Sequence, residues 1–185
     1  ESLRARGRML FFTPFVGKLI TPEFAMLMDL TANEVVALEA ALAKAKDSYA
    51  EAEFRAGSVT IGPDGRSLTM EVPPMPEAGG AIYDHALATF ESVLGPERFE
   101  LFNIASRDAF DRALDNFGLS QVTYSLKVSD STMPSGELLF DIERSHVGPG
   151  GRGTSSSRLR PKDMDAFFPQ LSKVMPKDFG KNTTK

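Results

Sequence analysis

Between Thr31 and Gly57 the apolar residues Val35, Leu38, Leu42, Ala45, Tyr49, Ala52 and Ala56 recur at alternating steps of three and four. Only an α-helix lines up such a series along one stripe. The start is marked as well, because Thr31-Ala-Asn-Glu34 is a capping box in which the hydroxyl and the carboxylate each satisfy a backbone donor of the first turn. At ~1.5 Å per residue the helix is a rod of roughly 37 Å, as long as a small domain is wide. A second element must cover its narrow, alanine-rich stripe.

The rest of the chain supplies both helices and strands. Thr21 as cap, Pro22 at the first helical position and the apolar set Phe24, Leu27 and Met28 predict a short helix before the long one. After Gly57, Val59 and Ile61 alternate with polar residues, Pro63-Asp64-Gly65 has turn chemistry, and Leu68, Met70 and Val72 alternate again, predicting a hairpin. PPMPEAGG reads as a connection, with a helix resuming near Ala81 over the face Ile82, Ala86, Phe90, Val93 and Leu94. Gly95-Pro96 stops that helix and starts another, which carries Phe99, Phe102, Phe110 and Phe117 toward Gly118 and offers an Asp108–Arg112 pair on its wet side.

A second β region follows. Val122, Tyr124, Leu126 and Val128 alternate with Thr123, Ser125, Lys127 and Ser129, so one face of this strand is buried and the other wet. STMPSG turns the chain into a return strand over Leu138, Phe140 and Ile142, and TSSSRLR reads as a polar third strand ended by Pro161. The expected class is α+β, with long amphipathic helices packed on an antiparallel hairpin and meander sheet. The expected organisation is an apolar segment and short helix over 1–30, one domain over 31–172, and a polar tail over 173–185.

Between the last two strands lies the most motif-like stretch, GPGGRGTSSS from Gly148. Gly148, Gly153 and Ser155 fall on the glycines and the hydroxyl of a phosphate loop, but Thr154 stands where its lysine belongs. The residues that follow are strand-like, whereas a phosphate loop must open onto a helix N-terminus. GPGGRG is therefore read as a hairpin connection.

Other chemistry is sparse. With no cysteine there is no disulfide, thiolate metal site or cysteine nucleophile. His85 has no carboxylate or second histidine at ligand spacing, and His146 ends a strand beside the glycine loop. No catalytic residue, metal site or cofactor is assigned. A small-ligand pocket or a hydrolase site using His85, His146 and Arg152 is the alternative to a non-enzymatic chain. A formal charge of −4 gives no general attraction to nucleic acid. No run of eighteen apolar residues is present to form a transmembrane span. Phe11, Phe12 and Phe15, behind the basic Arg4, Arg6 and Arg8, either fold back as core or dock on a partner or membrane. The sequence begins at Glu1 rather than methionine, so a signal or anchor upstream is an open expectation.

The segment VGKLITPEFAMLMDLTANEVVALEAALAKA, residues 16–45, resembles envelope proteins of the Spy and CpxP kind and anchored bacterial envelope proteins, in which a short helix precedes an L-T-x-x-[QE] helix start. Leu30, Thr31 and Glu34 carry that pattern, with glutamate for the usual glutamine and no second copy. The resemblance implies an extracytoplasmic or periplasmic, non-enzymatic role in sensing or chaperoning on an N-terminally tethered chain; a cytoplasmic placement is the alternative. The function expected from the whole sequence is an interaction or scaffold domain with a protein partner.

Overall fold

A computed structural model describes residues 13–113, 118–132, 137–149 and 151–180. Two compact units are distinguished, one from 1–45 with 84–114 and the other from 46–83 with 115–185. Phe11, Phe12 and Phe117 lie outside the described residues.

The first unit is built around phenylalanine. A two-residue hairpin pairs β1 (Phe15–Val16) with β2 (Leu19–Ile20). Helix α1 (Pro22–Leu27) follows, with Pro22 inside its start and Thr21 Oγ1 accepting from the Phe24 amide at 3.4 Å. Phe15, Phe24, Phe90, Phe102 and Phe110 form a buried cluster of mostly tilted and edge-on ring pairs 5.0–6.4 Å apart. Phe15 is thus a core residue and not a docking one. It holds the hairpin down.

Helix α2 (Ala32–Ala56) starts at the expected box: the Thr31 amide donates to Glu34 Oε2 at 2.8 Å and the Glu34 amide to Thr31 Oγ1 at 3.3 Å. Its buried stripe runs Leu38, Leu42, Ala45, Tyr49 and then Glu53, whereas Ala56 is exposed. Glu39, beside the stripe, accepts from the Ile20 amide at 3.0 Å and so ties β2 to α2.

Helix α3 (Pro76–Ala105) begins about five residues before the expected Ala81. Pro76 is tolerated in the first turn because its missing N–H would have been unpaired there, and the Gly79 amide already donates to Met75 O at 2.8 Å. Gly95 breaks the helix at φ 70°, ψ 169°, the stop expected from Gly95-Pro96. Arg98 closes this break. Its Nε donates to Leu94 O at 2.8 Å, its Nη1 to Met28 O and Asp29 O at 3.3 and 3.2 Å, and its Nη2 to Glu34 Oε1 at 2.5 Å. One guanidinium therefore satisfies carbonyls at two helix ends and a carboxylate at the start of a third.

That contact gives a pH prediction. Chiefly through Arg98, then through the Thr31 amide and hydroxyl, the Glu34 carboxyl is lowered from 4.5 to about 2. A carboxyl depressed on folding contributes stability that is complete above 4.5 and lost as pH falls from there toward 2. The difference in urea midpoint between the protein and E34Q should be constant near neutrality and shrink across that acid window. A difference that stays constant down to the lower value would contradict the pairing.

After Ser106 the helix continues as α4 (Arg107–Ala113), a break where one helix was expected. Arg107 reaches back to Asn103 Oδ1 at 2.8 Å and forward to Asp111 at 3.5 Å, so this pair replaces the expected Asp108–Arg112 contact.

The second unit is a five-stranded antiparallel sheet in the order β3 (Ser58–Ile61), β4 (Ser67–Val72), β5 (Gln121–Thr132), β6 (Leu138–Gly148), β7 (Gly151–Leu159). Its inner rows, including Leu68–Leu126–Ile142 and Met70–Tyr124, are buried together with Tyr49, Met75, Met164, Leu171 and Phe179. Met164 belongs to the short helix α5 (Met164–Phe167), Leu171 to α6 (Pro169–Val174) and Phe179 to the chain beyond. Phe179 meets Phe140 at 5.7 Å, so the segment expected as a polar tail from 173 contributes to the core. Gly148 pairs with Gly151, which makes the glycine stretch a hairpin connection as expected, with Arg152 and Gly153 already inside β7.

Gly118 fastens the chain between the α4 region and β5. It sits at φ 76°, and a Cβ there would lie 2.7 Å from the Met75 carbonyl oxygen, whose own amide donates back to Gly118 O at 2.7 Å. Gly118→Ala should cost about 1–3 kcal/mol from the left-handed backbone alone, before the clash is counted. Equilibrium unfolding in urea reads this directly, and an unchanged midpoint would sink the argument.

Candidate interaction surface

The outward side chains of the sheet are set by two-residue alternation and then aligned into rows by register. One row crosses Thr60, Thr69, Ser125, Glu143 and Ser156, and the next crosses Ser58, Glu71, Thr123, Ser145 and Thr154. A third holds Ser67, Lys127, Asp141 and Arg158. Every one of these side chains is polar, and each is exposed or half-exposed. The three rows are hydroxyl-rich, with Glu143 and Glu71 in the first two and a band of both signs of charge in the third.

Within that band Arg158 Nε donates to Asp141 Oδ1 at 2.5 Å, and both side chains remain about half exposed. The guanidinium, joined by a hydrogen bond from Ser129, holds the Asp141 carboxyl below its ordinary range, and Asp141 in turn raises Arg158. Lys127, Asp141, Arg158, Glu143, Ser125 and Ser156 border a shallow groove of about 600 Å³. Both signs of charge and several hydroxyls meet there. No group of three histidine, aspartate or glutamate side chains able to hold a metal occurs among the described residues.

On the inner face one polar cluster interrupts the apolar packing. Tyr124 donates to the Glu53 carboxylate, whose two oxygens both lie 2.9 Å away, and accepts from Arg144 Nε at 3.4 Å. Arg144 also lies over the Tyr124 ring at 5.7 Å, and Phe168 meets that ring edge-on at 6.1 Å. Burial, and then the negative charge of Glu53, push the Tyr124 hydroxyl far above its ordinary range, so it stays a donor. This cluster fixes the α2–β5–β6 packing. Sequence reasoning missed it, although Glu53 stands four residues after Tyr49 on the same helical stripe.

His85 belongs to the first unit, where it is exposed and its Nε2 lies 3.1 Å from Lys44 Nζ. His146 and Arg152 belong to the second. His146 faces inward over Gly153, whose missing side chain leaves room for the imidazole, whereas Arg152 is opposite Val147 in the outward-facing set. The two point to opposite sides of the sheet. No helix among the described residues is long and apolar enough to cross a membrane. No protein-family model, curated protein or solved structure matches this chain.

Proposed function

We propose that the chain is a non-enzymatic interaction domain whose contact surface is the outer face of the five-stranded sheet. One observation carries the reading: three aligned rows of exposed hydroxyl and charged side chains run across the strands, with a charged band at Lys127, Asp141 and Arg158. Such a face offers many weak, directional hydrogen bonds and mixed charge, the composition of a polar protein–protein contact. The partner is a protein with a polar surface. The extracytoplasmic or periplasmic setting is supported by the resemblance of residues 16–45 to the Spy and CpxP kind alone.

The test is charge removal. Lys127→Gln combined with Arg158→Gln should leave the melting temperature within a few degrees, since an exposed ion pair such as Arg158–Asp141 contributes only ~0–1 kcal/mol. In extract of the source cells, the unaltered protein should elute from a sizing column in a larger assembly and the double variant at its monomer position. Co-elution of both at the same position would overturn the reading. A ligand reading is favoured by no specific feature, since His146 and Arg152 point to opposite sides of the sheet.

A further inference from the structure

The sheet also has an edge, and that edge is a different surface from its outer face. Strand β7 pairs with β6 on one side only, and its register runs without a bulge from Leu159 opposite Phe140 to Gly151 opposite Gly148. None of the described backbone hydrogen bonds outside the ladder involves it. Residues 154–158 are all exposed. Soluble proteins normally blunt such an edge by shortening it or by placing proline, a bulge or an inward-pointing charge on it. The opposite edge, β3, is blunted by having only four residues. Strand β7 has nine, with no proline, and its inward row of Gly151, Gly153, Ser155 and Ser157 bears no charge.

The side chains that β7 does carry decide what pairs with it. Its outward row is Arg152, Thr154, Ser156 and Arg158, and the strand contains no carboxylate. Arg152 stands opposite Val147, so the β6 side offers it no charge partner across the ladder. Pairing with a second copy about Ser155 would set Arg152 against Arg158 on one face at both ends, like charge against like charge. The basic N-terminal stretch of the chain, with Arg4, Arg6 and Arg8, carries the same sign. Both of these occupants are disfavoured electrostatically.

We infer that β7 receives an extended acidic segment of another protein as a sixth strand, with carboxylates six positions apart opposite Arg152 and Arg158, the latter keeping its Nε bond to Asp141 and offering its terminal N–H groups. Over six residues at ~3.3 Å each the two arginines stand roughly 20 Å apart, and the hydroxyls of Thr154 and Ser156 lie between them. Main-chain bonds to the open edge supply affinity, and the paired charges select sequence and register. The small inward row leaves space for β-branched side chains on the other face of the incoming strand.

The probe is acetyl-Glu-Val-Thr-Val-Thr-Val-Glu-amide, with the same peptide carrying lysine in place of both glutamates as control. Amide hydrogen exchange on the full chain, resolved along the sequence, is the measurement. The glutamate peptide should slow exchange within 152–158 by on the order of tenfold at saturation and leave β3 unchanged, while the lysine peptide should not protect. In the R152E variant the preference should weaken or invert, and that exposed change leaves folding intact. Absence of β7 protection by the glutamate peptide, or equal protection by both peptides, would overturn the inference. Concentration-dependent protection of β7 without peptide would also overturn it, by showing that a second copy takes the edge.

Discussion

Phe15→Ala should destabilise the protein by about 3–5 kcal/mol, the usual cost of truncating a buried phenylalanine. Phe15 is 7% exposed and contacts the rings of Phe24, Phe90 and Phe110 at 5.5–6.1 Å, so its loss opens a cavity bounded by three rigid neighbours. The next residue is the control. Val16 is 62% exposed, and Val16→Ala should change stability by no more than ~0.5 kcal/mol. Denaturant unfolding of the two variants side by side reads the contrast. Equal effects would mean that the hairpin docks rather than packs.

Phe15 also shows why parts of the fold were legible and parts were not. The start of α2 was written locally in Thr31 and Glu34, and the sheet in the alternation of Val122, Tyr124, Leu126 and Val128 with polar neighbours. The break at Gly95 was equally local. What no local pattern carried was the destination of an apolar side chain: Phe15 reads as core or as docking residue until its neighbours are known. The early start of α3 escaped because Gly79 and Gly80 read as breakers, whereas a helix anchored by Pro76 tolerates them at about 1 kcal/mol each relative to alanine. Phe179 escaped because a single aromatic residue in a polar stretch has no periodicity.

The second large effect is expected at the buried polar cluster. Glu53 is 2% exposed, and its carboxylate is held by the Tyr124 hydroxyl at 2.9 Å. Tyr124→Phe removes that donor while keeping the ring, and should cost about 1.5–3 kcal/mol, the range for a hydrogen bond to a charged group. Glu53→Ala should cost about 1–3 kcal/mol, because the Tyr124 hydroxyl then stays buried without its carboxylate acceptor. The two residues act as one unit. A double-mutant cycle of Tyr124→Phe with Glu53→Gln should therefore show a coupling of at least ~1 kcal/mol, and additive losses would contradict the network.

Of the candidate surface, the sequence showed the polarity and concealed the pattern. Alternation made Ser125 and Lys127 outward-facing, but their alignment with Glu143 and Ser156, and with Asp141 and Arg158, depends on register. Register is fixed by turn geometry and by the inner face, neither of which a single strand reveals. Glu53 was hidden differently. A carboxylate on an apolar stripe becomes intelligible only once Tyr124 is known to reach it from another strand.

The claim that the outer sheet face is the contact surface meets its most direct test in photo-crosslinking within the source cells. A benzophenone side chain is placed in turn at Ser125, Glu143 and Ser156, which share one row, and at Glu23, Glu91 and Glu97, which are exposed in the other unit. The account predicts a discrete protein adduct from the three sheet positions, lost when Lys127 and Arg158 are both changed to glutamine, and none from the three controls. Adducts confined to the control positions, or none from the sheet row, would contradict it.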